Sequence, residues 1–140
     1  MNQLADRAAI HDLNARYAIA FDGFQLDESS GCWAEDGVLD ERETGLGLFR
    51  GRETIREFFR DELFAHARHV IHVMFNHLIT DIEDDRAAGS VFCVVEVVTT
   101  DGDYIRSHVA YEDEYVRVDG QWKFGSRVIK PSFPGVPSRP

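Results

Sequence analysis

From Val70 onward the chain reads as four long strand patterns: Val70 to Ile82, Ser90 to Thr100, Tyr104 to Val118 and Gln121 to Ile129. They are rich in Val, Ile, Tyr and Phe, the residues that fit a pleated surface. Two of the three connections carry Asp-Gly, at 101–102 and 119–120, a pair that suits a two-residue hairpin because both positions tolerate positive φ. Long strands joined by tight turns make an antiparallel meander, and one face of it must be covered by other elements.

The first half supplies that cover. Ile10, Leu13, Tyr17, Ala20 and Phe21 recur at helical spacing, and Gly23 is placed to end this helix near Asp22. A short second helix is expected over Leu26 to Trp33, and GVLDERETGLGLFRG reads as an irregular strand or hairpin. Glu53 to Phe64 forms a third helix, with Ile55, Phe58, Phe59 and Leu63 along one stripe and Glu53 at its positive end. Helices followed by a meander define an α+β fold. A chain of 140 residues supports one core, hence a single domain over residues 1–130. The tail at 131–140, PSFPGVPSRP, has proline at every third position and cannot extend the sheet. It reads either as an extended surface tail or as a lid, with Phe133 and Val136 closing a pocket mouth.

Charge and composition narrow the partners. A net charge of −10 repels polyphosphate and anionic lipid, so neither nucleic acid nor a membrane surface is expected. No apolar run approaches the roughly 20 residues of a membrane span, and the N-terminus lacks a signal peptide's apolar segment, so a cytoplasmic location is expected. Cys32 and Cys93 are too few for a disulfide scaffold, and Cys93 within VFCVV reads as a small buried side chain. A small, largely neutral ligand suits this chain.

Two-residue loops fix which residues oppose each other. On that assumption Glu96 opposes Ser107 and Val94 opposes Val109 across the first Asp-Gly. Tyr115 opposes Phe124 and Arg117 opposes Trp122 across the second. The derived inner face is Phe92, Val94, Glu96, Ser107, Val109, Tyr111, Tyr115, Trp122 and Phe124, with Arg106 and His108 on the other side. Glu96 is the anomaly there: either a glutamate satisfied by a neighbouring Arg or Ser107, or a pocket acid whose pKa burial raises.

HARHVIHVMFNHL, residues 66–78, holds four of the six histidines. His66, His69 and His72 at spacing three converge poorly on one ion from a helix and not at all from a strand, and no HExxH or CxxC accompanies them, so no metal is expected. His66 suits the negative end of helix three, and His69 and His77 read as surface or interface residues. His72 has a potential partner in Asp22, where a helix C-terminus and partial burial both raise a carboxylate's basicity. The local pattern leaves Ile71, Val73 and Phe75 as competing inward residues.

Taken in order, RAAIHDLNARYAIAFD, the Trp33 of ESSGCWAEDGVLD, GRETI, IHVMFN and YEDEYVRVDGQWKF make residues 5 to about 129 resemble the nuclear transport factor 2-like superfamily, specifically its SnoaL-like branch. The pattern looks most like the group that includes scytalone dehydratase, hexachlorocyclohexane dehydrochlorinase and bile acid 7α-dehydratase. The resemblance implies a cone-shaped α+β barrel, in which a strongly curved, mainly antiparallel sheet wraps around about three N-terminal helices. It implies that Asp22 orients His72 as a general base, and that Tyr17, Trp33, Met74, Asn76, Glu96 and Tyr111 line the substrate pocket. No cofactor is implied. The activity implied is elimination from a small hydrophobic cyclic or polyketide-like substrate; an isomerase or cyclase using the same pair, or a non-catalytic ligand-binding module, stands beside it. Relatives of this kind are homo-oligomers, dimers or trimers. Placing His72 on the face of Glu96 requires an odd loop or a bulge around EDDRA, whereas an even loop turns the two apart.

Overall fold

Helix α1 (Gln3–Asp22) buries Ile10, Leu13, Asn14, Tyr17, Ala20 and Phe21, the stripe its sequence spacing predicts, in a computed structural model that describes residues 3–136. After α2 (Leu26–Ser30) come β1 (Trp33–Glu41), β2 (Gly47–Arg50), α3 (Arg52–Phe58), and four long strands: β3 (Ala67–Glu83), β4 (Arg86–Thr99), β5 (Tyr104–Val118) and β6 (Gln121–Pro131). They form one six-stranded sheet in the order β2-β1-β6-β5-β4-β3. Every neighbouring pair is antiparallel except β1 with β6. The fold is the expected α+β cone, with α1 packed against β3 and β6 on the inner face. Among the described residues no helix is long and apolar enough to cross a membrane.

The second and third helices are shorter than their sequence patterns. The second ends at Ser30, and Trp33, fully buried, begins β1. The third changes after Phe58 into a wide π turn (Phe59–Leu63) and then a 3₁₀ turn (Phe64–His66). The π turn lets Phe58 and Phe59, adjacent in sequence, both turn inward. At the end of α1 the left-handed residue is Phe24 (φ 56°) rather than Gly23. The Gln25 N–H returns to the Ala20 carbonyl at 2.9 Å and the Gly23 N–H to Ile19 at 3.0 Å, closing the helix over Asp22.

The second Asp-Gly turn has positive φ at both Asp119 and Gly120, and Val118 opposes Gln121 as derived. The first does not. Only Gly102 has positive φ, and Thr99 bonds Asp103 twice, by carbonyl pairing and through its hydroxyl, making a three-residue loop. That extra residue shifts the pairing: Glu96 opposes Arg106, Val94 opposes His108 and Cys93 opposes Val109. Phe92, Val94 and Glu96 therefore lie on the outer face, while Val109, Tyr111, Tyr115, Trp122 and Phe124 are buried as expected. The connection near EDDRA is an even loop, Glu83 opposing Arg86, and the two single-residue bulges of β3 between that loop and His72 together preserve its parity. His72 consequently opposes Val95 and turns away from Glu96.

β6 runs through Pro131, and the Ser132 N–H still reaches the His108 carbonyl at 2.9 Å. Phe133 lies against the His108 ring, 5.6 Å between centroids, on a strand position that faces away from His72. Pro137 to Pro140 lie outside the described residues.

Candidate active site

α1 and β3 bring Asp22 and His72 together. Asp22 sits in the last turn of the helix, and β3 alternates Val70, His72 and Met74 inward against exposed Ile71, Val73 and Phe75. Asp22 Oδ2 accepts the His72 backbone N–H at 2.8 Å, and its Oδ1 stands 2.6 Å from His72 Nδ1. An ionised carboxylate can only accept, so in the neutral ring the proton resides on Nδ1 and Nε2 carries the lone pair. Among the described residues none hydrogen-bonds that Nε2. The imidazole side chain is 6% exposed and the carboxylate 23%, so the ring is nearly buried and the carboxylate only partly so. The rings of Tyr17 and Phe21 meet His72 edge-on at 6.1 and 4.9 Å.

Behind this pair lies a buried polar network within an aromatic core. Arg127 and Asp113, both fully buried, make a two-point ion pair with both distances 2.8 Å. Arg127 also bonds Asn14, and its guanidinium lies over the rings of Tyr111, Phe124 and Tyr17 at 4.1, 4.1 and 5.2 Å. One of its nitrogens, Nη1, is buried without a hydrogen-bond partner among the described residues, and the indole N–H of Trp33 is in the same condition. Unpaired buried donors are uncommon enough in folded proteins to mark a site. Burial pushes the Tyr17 hydroxyl well above its ordinary range, against the pull of Arg127, and Tyr17 remains a donor at any physiological pH. Glu41 is buried on the inner side of β1 with the Thr44 hydroxyl as its partner, and burial pushes its carboxyl up to about 7.

Of the residues expected in the pocket, Tyr17, Trp33, Met74 and Tyr111 lie in or against this core. Glu96 does not: it is on the outer face, takes a hydrogen bond from Tyr104 and stands 3.6 Å from Arg106. Asn76 is exposed at a bulge of β3, with φ 51°. Asp113 and Arg127 are absent from the sequence reading. Period-two alternation between Tyr111 and Tyr115 does put Asp113 inward. Arg127 stands at odd spacing from Phe124, and only the irregularity at Gly125 turns it in.

The profile of the SnoaL-like domain matches residues 2–128. The gamma-hexachlorocyclohexane dehydrochlorinase of Sphingobium indicum is 29% identical over 129 residues, covering 91% of this chain and 81% of that protein. A crystal structure from Novosphingobium aromaticivorans, provisionally named an aromatic ring hydroxylase, superposes with a TM-score of 0.90 at 30% identity, covering 96% of this chain and 94% of that one. A type 2 hexachlorocyclohexane dehydrochlorinase superposes with a TM-score of 0.84 at 26% identity, covering 94% and 88%.

Proposed function

The chain belongs to the SnoaL-like domain family, and on that footing we propose that it is a cytoplasmic, cofactor-independent lyase acting on a small hydrophobic cyclic or polyketide-like molecule. The observation that carries this reading is the Asp22–His72 pair, a carboxylate bound to Nδ1 with Nε2 lacking a hydrogen-bond partner among the described residues. Nε2 takes a proton from carbon, the C–H electron pair becomes the new double bond, and the group on the adjacent carbon leaves with its own bonding pair. Asp22 stabilises the imidazolium that forms. In this reading the leaving oxygen or halide accepts hydrogen bonds from Trp33 Nε1 and Arg127 Nη1, buried donors with no partner among the described residues, whose side chains both lie near the Tyr17 ring. The family's dehydrochlorinases support elimination as the reaction class.

Assembly belongs to the same reading. Ile71, Val73, Phe75 and Phe92 form an exposed apolar strip on the outer face of β3 and β4, and we assign it to contact between copies in a dimer or trimer.

The test uses gamma-hexachlorocyclohexane and a set of β-hydroxy cyclic ketones as probes. Chloride release, or a product lighter by one water, supports a lyase. A product of unchanged mass moves the assignment to isomerisation by the same pair. Turnover that survives intact in His72→Ala overturns the reading.

A further inference from the structure

α1 and β3 meet at a second pair of side chains that the elimination chemistry does not use. His11 Nδ1 and His77 Nδ1 stand 2.8 Å apart, with ring centroids at 4.3 Å and planes at 78°. A straight N–H···N bond would hold the rings head to head with centroids about 5 Å apart. These rings instead meet at an angle, with the two Nδ1 atoms within hydrogen-bond reach of each other.

The network behind His77 fixes which of its nitrogens can face His11. The Tyr115 hydroxyl donates its one proton to the Asp113 carboxylate at 2.7 Å, and Asp113 is itself held by Arg127. The Tyr115 oxygen can therefore only accept, from Asn14 Nδ2 at 3.3 Å and from His77 Nε2 at 3.2 Å. With its proton committed to Nε2, His77 presents a lone pair at Nδ1, toward exposed His11. An imidazole whose rear N–H is anchored to an oxygen that is itself anchored has the orientation metal-binding histidines characteristically receive.

From this we propose that His11 and His77 form a two-imidazole site for a divalent transition-metal ion of the Cu²⁺ or Ni²⁺ class, with water completing the coordination. Imidazole bonds of about 2.0 Å at right angles, as in tetragonal Cu²⁺ and Ni²⁺ complexes, bring two nitrogens to about 2.9 Å. Tetrahedral Zn²⁺ needs a wider gap and binds less well. Among the described residues no group of three or more His, Cys, Asp or Glu is arranged to hold a metal ion, so the protein supplies two ligands here and a bound ion would exchange readily. His11 lies about 16 Å along the axis of α1 from Asp22, and the ion clamps the same helix to the same strand that carry the Asp22–His72 pair.

The test is Cu²⁺ and Ni²⁺ titration of the untagged full chain by calorimetry, with thermal unfolding and Cu²⁺ electron paramagnetic resonance. Expected are one ion per chain, a rise in Tm and coupling to two imidazole nitrogens. His11→Ala, on an exposed helix position, is expected to lose at least about 10-fold in affinity and one nitrogen coupling, while His69→Ala keeps both. Equal affinity in wild type and His11→Ala, or no binding by the wild type, overturns the site and leaves a pair that shares a proton only.

Discussion

Asp22 grips His72 at two points, accepting the backbone N–H at 2.8 Å and the ring Nδ1–H at 2.6 Å. The first bond fixes the strand against the helix end, and the second fixes the tautomer. Asp22→Asn separates the two roles, because the amide oxygen can keep the backbone bond while its NH₂ favours a proton on His72 Nε2. Activity is expected to fall by about 10² to 10⁴-fold in Asp22→Asn and in His72→Ala, with Asp22→Asn changing the melting temperature little. Chloride or water release under saturating probe measures it, and a loss below tenfold in both variants would remove the pair from the mechanism.

Arg127 and Asp113 form an ion pair with no solvent exposure, so removing one partner strands the other's charge in the core. Arg127→Leu is expected to cost about 3–5 kcal/mol of stability, and Asp113→Leu a similar amount. The double variant should recover part of that loss, since an apolar pair leaves no stranded charge and only Asn14 and Tyr115 lose partners. Urea unfolding decides it. A double variant no more stable than the worse single one would mean that the hydrogen bonds of Asn14 and Tyr115 dominate the network.

The two Asp-Gly turns show how far the sequence carries. The turn at 119–120 is legible because the dipeptide and the flanking alternation agree, and the register derived from it is the one found. At 101–102 the same dipeptide forms a three-residue loop, because Thr99 offers a side-chain oxygen to Asp103 and His66 takes the Thr100 N–H. No local pattern encodes that second, distant partner. One residue of slip moved Glu96 from the inner face to the outer. Asp22, His72 and Tyr17 were legible through a family resemblance together with helical spacing. Asp113 was legible by alternation alone, while Arg127 depends on an irregularity that Gly125 permits without naming.

Glu96 and Tyr17 give a direct check on which of the two takes part in the reaction. Glu96→Gln, on the outer face, should leave turnover within about twofold of wild type. Tyr17→Phe removes a buried donor beside Arg127 and is expected to lower kcat by at least about tenfold. Steady-state rates on one probe compare them, and the reverse order of effects would move the proton-donor role from Tyr17 to Glu96.

Glu41 sets an alkaline limit on stability. Burial raises its folded pKa to about 7 from an ordinary value near 4.5, so the folded state binds the proton more tightly than the unfolded chain does. The sign follows: the stabilisation is complete below about pH 4.5 and is lost as pH rises through 7. Because the carboxyl is buried, the swing is on the order of 3 kcal/mol. Glu41→Gln cannot ionise, so its stability relative to wild type should improve steadily between pH 5 and pH 8, with the Thr44 hydroxyl keeping a partner. Denaturant midpoints of both proteins across that range measure the difference. Parallel pH profiles would show that Glu41 reaches water through the opening of the β1–β2 hairpin and titrates as an ordinary glutamate.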